Sequence, residues 1–258
     1  MLVTGATGGL GQAIALALHG RGAHLLLSGR REAVLAELVG ELGSRAESMP
    51  ADLRSGPAAR ELIERAGRVD VLVANHAVPG SGRLDDYSVE EVDRALDVNL
   101  GAPVHMTHAV VPQMIERGAG HLVFISSIAG KVATGGGSLY SATKFGLRGF
   151  AAALHDELAS DGVGVTTVFP GFISGAGMFA ETGLRLPTGV GTRSPEQVAD
   201  AVIRGIERNR CEIDVAPIAM RAGGWGAGVS QAAVQRVQRL AGSGEVSRRL
   251  ADAQRDKR

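Results

Sequence analysis

The sequence predicts an α/β protein built on a doubly wound parallel sheet, a single domain with a short helical carboxyl-terminal extension. Three observations carry this. Short apolar runs alternate with amphipathic stretches of helical length, a glycine-rich turn follows the first run directly, and no composition break or repeat interrupts the pattern before about residue 217. Alternating strands and helices imply parallel strands joined by helical crossovers, so both faces of the sheet are covered.

The elements follow in order. Leu2-Val3-Thr4 is an unusually short first strand, and the helix near residues 10–19 places Ala13, Ile14, Leu16 and Ala17 on an apolar side. Ala23 to Ser28, Val69 to Asn75, His121 to Ser126, Val163 to Phe169 and Glu212 to Ala216 read as strands, with a further one ahead of Asp52. Helices are expected near 31–43, 56–66, 88–116, 139–160 and 195–208. Residues 1–217 then form one domain, and 218–258 form the extension.

That extension opens with Arg-Ala-Gly-Gly-Trp-Gly-Ala-Gly at 221–228. Val229, Ala233, Val237 and Leu240 then recur at helical spacing. From Arg236 to Arg258 seven basic residues face three acidic ones, so a membrane surface or partner is conceivable. The simpler reading is a helix packed on its own domain with a solvated face.

Composition narrows the function. With 27 Lys plus Arg against 27 Asp plus Glu the net charge is zero, which excludes a nucleic-acid reader built on bulk positive charge. At 45% hydrophobic and 21% charged residues the chain can bury a core, which excludes disorder. Cys211 is the only cysteine, so neither an internal disulfide nor a thiolate metal cluster is expected. No stretch approaches the roughly 20 apolar residues of a membrane span. The start of the sequence lacks the charged, apolar and cleavage-site pattern of a signal peptide, so export is not expected and a cytoplasmic location is.

Thr4-Gly5-Ala6-Thr7-Gly8-Gly9-Leu10-Gly11 links the first strand to the first helix. Glycines there let the backbone bend sharply and approach a pyrophosphate, whose charge sits at the positive end of the helix. This makes the sheet Rossmann-type and assigns Gly5, Thr7, Gly9, Leu10 and Gly11 to a dinucleotide. The second strand ends Leu27-Ser28-Gly29-Arg30-Arg31, with no acid to accept from the adenosine ribose hydroxyls. Arg30 or Arg31 could meet a 2′-phosphate instead, which favours NADP without excluding NAD. Both arginines could equally be surface residues, with Glu32 neutralising one. Asp52, beside Leu53, is a candidate for the adenine edge or a helix cap.

Only three lysines (131, 144 and 257) and two tyrosines are present, so chemistry that needs both has few candidates. Tyr140 and Lys144 stand four apart at the start of a predicted helix, on one face. A free tyrosine has a pKa of roughly 10, and a neighbouring ammonium is expected to lower it. Ser126-Ser127 ends the preceding strand, where open parallel sheets place their crevices.

These motifs together resemble the short-chain dehydrogenase/reductase family over nearly all of residues 1–217. The resemblance rests on the glycine turn at 4–11, Asn75 after the fourth strand, Asn99 in Asp-Val-Asn, the serine pair, Tyr-x-x-x-Lys, and Pro170-Gly171. It implies Tyr140 as general acid/base and Lys144 as the residue that lowers its pKa and holds the nicotinamide ribose. Ser127, thirteen residues before the tyrosine, is implied to orient the substrate oxygen, and Asn99 to anchor a water in a proton relay. Asn75, Pro170 and Gly171 are implied cofactor contacts. The chain departs from the family at His76, in Ala74-Asn75-His76-Ala77 where Asn-Asn-Ala-Gly is common, and at Gly175, where threonine is common. Ser174 is then the candidate hydroxyl for the carboxamide, and His76 reads as a loop histidine.

Residues 172–193 carry Phe172, Ile173, Met178, Phe179, Leu184 and Leu186 among glycines including Gly189. They read as a lid for a hydrophobic substrate or a packed connector. The expected activity is NADP(H)-dependent interconversion of a small-molecule ketone or aldehyde with an alcohol, by a homodimer or homotetramer. A redox sensor without turnover would not need Ser127, Tyr140, Lys144 and Asn99 together. A sugar-nucleotide epimerase or dehydratase would need a larger carboxyl-terminal domain.

Overall fold

The computed structural model describes residues 1–184, 186, 191–240 and 243–255. Gly189 and the side chain of Leu240 lie outside the described residues, as do residues 256–258 with Lys257. Seven parallel strands form one sheet: β1 (Leu2–Thr4), β2 (Leu25–Ser28), β3 (Ala46–Ser48), β4 (Val71–Ala74), β5 (Gly120–Ile125), β6 (Val163–Pro170) and β7 (Glu212–Val215). Their order is β3-β2-β1-β4-β5-β6-β7, so the winding reverses between β1 and β4. The helices are α1 (Gly9–Gly20), α2 (Glu32–Leu42), α3 (Gly56–Ala66), α4 (Val89–Leu96), α5 (Ala102–Arg117), α6 (Ser138–Glu157), α7 (Gly177–Ala180), α8 (Pro195–Arg208), α9 (Ile218–Leu240) and α10 (Ser243–Gln254). Among the described residues no helix is long and apolar enough to cross a membrane.

Strand periodicity sorts the core into two layers. Along β5, Val123 and Ile125 join Ile14, Leu18, Leu35 and Val202 on the α1, α2 and α8 side. Leu122 and Phe124 join Leu62, Met106, Leu147 and Leu154 on the α3, α5 and α6 side. Each such side chain contributes roughly 1.5–3 kcal/mol by burial. Ser88 and Ser194 open α4 and α8 with reciprocal capping boxes. Ser55, not Asp52, caps α3, and the Asp52 carboxylate instead accepts from Arg54 Nε at 2.8 Å in an exposed pair.

Two expectations are corrected. The helix read over 88–116 is interrupted by a π-turn at Asp97–Gly101, which separates α4 from α5. Proline explains part of it: Pro103 has no N–H, so the Asn99 carbonyl loses its α-helical donor. The apolar stripe of the tail faces water rather than the domain, with Val229, Ala233 and Val237 exposed. α9 breaks at Ser230 (φ −153°, ψ 98°), so spacings counted across it do not define one face.

β7 is tied to the loop after β5 through Lys131, whose Nζ lies 2.6 Å from Asp214 Oδ1 and 2.9 Å from Glu212 Oε2. The same ammonium sits 4.0 Å from the Phe169 ring centroid. Lys131 and Asp214 side chains are only 7% and 9% exposed, so removing one charge strands the other. Lys131→Met is therefore expected to destabilise the fold by about 3–5 kcal/mol in urea unfolding. A loss below about 1 kcal/mol, the range of a surface pair, would contradict this.

Candidate active site

The site lies beyond the carboxyl ends of β1, β4, β5 and β6, beside the reversal of winding. At β1 the chain turns through Gly5, at φ +63°, whose missing Cβ would stand 2.9 Å from the His76 backbone. A Cβ on Gly11 would meet the Gly5 carbonyl oxygen at 2.2 Å, so α1 can approach the turn only through glycine. No side chain caps α1, which leaves its first amides without a side-chain partner at the positive end of the helix dipole. Leu10 lines the crevice, while Thr7 is buried beside Gly29.

At the end of β2 the two arginines separate. Arg31 Nη2 donates to the Thr7 carbonyl and braces the glycine turn. Arg30 is exposed and makes no hydrogen bond or ion pair among the described residues, and Glu32 pairs with neither arginine. Leu53 turns its side chain into the core, buried with Leu62 and Met106.

β4 delivers Asn75 and His76. Asn75 Nδ2 donates to the carbonyls of Thr4 at 3.1 Å and Gly5 at 3.2 Å, which latches β4 to the glycine turn. His76 Nδ1 is 2.7 Å from Thr4 Oγ1. Burial and the Lys144 charge lower the imidazole to about 3, opposed by a hydrogen bond to the Val98 backbone. His76 thus stays neutral. Asn99 sits in the π-turn, buried, with Oδ1 accepting from Val78 N at 2.8 Å and Nδ2 donating to Val78 O at 3.0 Å. Its side chain positions the 76–80 loop and does not line the crevice.

Ser127, Tyr140 and Lys144 line one cavity of about 120 Å³ together with Asn75, Pro170 and Gly171. Ser127 Oγ accepts from Ala129 N at 3.2 Å and lies 3.5 Å from the Pro170 carbonyl. Lys144 is 2% exposed and donates to the Ile125 carbonyl at 3.1 Å, with Nζ 5.6 Å from the centre of the Tyr140 ring. Burial lowers its ammonium to about 8. The expected depression of Tyr140 is not found. Burial pushes its phenol up to about 12, against a hydrogen bond with Ser127 that lowers it, because the cost of desolvating a phenolate dominates.

The far wall is the apolar segment read from the sequence as a lid or a packed connector. Ile173, Ala176, Met178 and Phe179 line the cavity, and Phe179 packs on Phe172 with ring centres 4.8 Å apart. A Cβ on Gly9 would stand 2.4 Å from Ala176 Cβ, so this segment rests on the glycine turn, a contact that sequence spacing cannot reveal. Ser174 is exposed and bonds the Arg193 carbonyl at 3.3 Å, so the hydroxyl expected to replace the missing threonine at Gly175 points away from the crevice.

A crevice with a glycine turn on one side and a tyrosine and lysine on the other defines a class, the oxidoreductases that work with a nicotinamide dinucleotide. The chain belongs to the short chain dehydrogenase family, whose model matches residues 1–185. It is 35% identical to the ketoacyl reductase HetN of Nostoc sp. over 83% of this chain and 77% of that one. A short-chain dehydrogenase from Streptomyces avermitilis superposes with a TM-score of 0.79 at 27% identity, covering 95% of this chain and 97% of that one. A serine dehydrogenase complexed with NADP+ gives a TM-score of 0.75 at 32% identity, covering 84% and 94%.

The lowered imidazole makes stability depend on acid. Below the ordinary histidine range the unfolded chain takes up a proton that folded His76 refuses until about pH 3, so stability falls as pH drops through that window. His121, lowered to about 4 by burial, adds to the same slope. His76→Asn should therefore lose less stability than the unmodified chain between about pH 7 and 5, read as the shift of the urea midpoint. Equal losses would show that His76 is protonated in the fold.

Proposed function

We propose that this chain is an NADP(H)-dependent reductase that converts a ketone or aldehyde of apolar character to an alcohol, with Tyr140 as proton donor. The observation that carries the reading is the convergence of Tyr140, Ser127 and Lys144 on one cavity whose opposite wall is Ile173, Met178 and Phe179.

The chain's residues fit a dinucleotide. The uncapped start of α1 accommodates a pyrophosphate once Ala176 withdraws from Gly9, and Gly175 and Gly177, at φ +78° and +85°, are joints for that movement. Arg30, exposed and unpaired at the end of β2, is the residue for a 2′-phosphate, and the similar serine dehydrogenase was complexed with NADP+. Asn75, Lys144, Pro170 and Gly171 would flank the nicotinamide end.

A reduced nicotinamide held there would supply the hydride that reduces the carbonyl carbon. Tyr140, held neutral by burial, gives its phenolic proton to the oxygen, which becomes far more basic as the alkoxide forms. Ser127 donates a hydrogen bond to the same oxygen. Lys144, with an ammonium near 8, can return a proton toward Tyr140 at neutral pH, and Asn99 holds the relay beyond it through its main chain. The apolar wall selects for hydrocarbon beside the carbonyl, which agrees with similarity to a ketoacyl reductase.

Tyr140→Phe removes only the phenolic oxygen. NADPH binding should survive, while turnover of a ketone panel followed at the NADPH absorbance band falls at least about a hundredfold. Near-normal turnover would overturn the assignment. Arg30→Ala should weaken NADPH about 10- to 100-fold and leave NADH nearly unchanged, since a charge-assisted hydrogen bond contributes roughly 1.5–3 kcal/mol. Equal dissociation constants for the two cofactors in the unmodified chain, or tighter NADH, would show that another residue sets the preference.

A further inference from the structure

Two segments adjoin the cavity as its lips. One is 128–137, which connects the lining residues Ser127 and Tyr140 without lining the cavity itself, and the other is 173–184, which carries the lining residues Met178 and Phe179. The carboxyl-terminal helices hold both. The first part of α9 lays Gly224 against the first lip, where a Cβ would stand 3.5 Å from Lys131 Cβ. After the break, Ser230 Oγ accepts from Ala233 N at 3.3 Å and starts a second helical segment, from which Gln231 Nε2 donates to the Ala133 carbonyl at 2.8 Å.

α10 reaches both lips. A Cβ on Gly136 would lie 3.2 Å from Ser247 Cβ, and Gln254 Nε2 donates to the Met178 carbonyl at 3.2 Å. Ser247, Ala251 and Gln254 follow the i, i+4, i+7 pattern of a single helix face, and Ala251 and Gln254 are 8% and 4% exposed. The seven-residue step corresponds to about 10 Å of helix, so α10 bridges the two segments. A buried glutamine amide is costly unless it is bonded, and an apolar residue would fill the same space without that cost.

We propose that α9 and α10 form a clasp across the crevice mouth, with Gln231 and Gln254 as positioning residues that set the distance between the lips and so the size of substrate admitted. The size selection rests on the reductase reading; the clasp does not.

Gln254→Glu keeps the shape and removes the N–H donor, and Gln254→Met removes it without adding charge. In both variants amide hydrogen exchange across residues 178–184 should quicken about fivefold while β5 and α6 keep their protection, as expected for one lost hydrogen bond. Unchanged exchange in both, or faster exchange in the glutamate variant alone, would overturn the clasp. With NADPH and a series of methyl ketones of increasing chain length, the preference between short and long members should shrink in both variants, through KM rather than kcat. A preserved preference with quickened exchange would overturn the size selection. No reduction of any member by the unmodified chain would instead count against the reductase reading, and the exchange result would still decide the clasp.

Discussion

The site depends on one constraint: a lysine ammonium placed inside the protein with no carboxylate beside it among the described residues. Lys144 is 2% exposed and its hydrogen bond goes to the Ile125 carbonyl, the last of β5. Desolvation then sets the chemistry, holding the ammonium near 8 and the neighbouring Tyr140 phenol near 12. A drier pocket raises the cost of both charges together. The tyrosine is therefore protonated at rest, and the lysine is a group that neutral pH can load and unload.

Lys131, also buried, is treated differently. Asp214 and Glu212 satisfy it and Phe169 lies under its charge. Pairing makes it a strut between β7 and the loop after β5. The contrast separates structure from function within one protein: a buried cation with counterions fixes geometry, and a buried cation without them is free to titrate. The two are linked through the 128–137 segment, which begins beside Ser127, carries Lys131, and ends at the helix of Tyr140 and Lys144.

Much of this was legible in the sequence because it depends on local spacing. The period-two core of β5, the glycine turn and the four-residue step from Tyr140 to Lys144 are local patterns, and the structure brings Ser127, Tyr140 and Lys144 to one cavity as that spacing required. What escaped is tertiary. The direction of the Tyr140 shift is a matter of burial, which no motif reports. The π-turn adds less than a turn to a helical pattern, although Pro103 four residues after Asn99 was a readable sign that one carbonyl would be left without its helical donor. Arg31 turned back to Thr7, Ser174 turned outward to Arg193, and the tail stripe was divided at Ser230, each by contacts far apart in sequence or by a single backbone angle.

Because the chain has only three lysines, the ammonium can be watched directly. Carbon-13 labelling at the lysine ε-carbon gives a spectrum simple enough to titrate residue by residue, with the Lys144 resonance assigned by its loss in Lys144→Met. The buried, carboxylate-free setting predicts that this resonance titrates near pH 8. Titration in the ordinary lysine range of about 10.4 would mean that water or a counterion reaches the ammonium, and the dry site inferred here would be wrong.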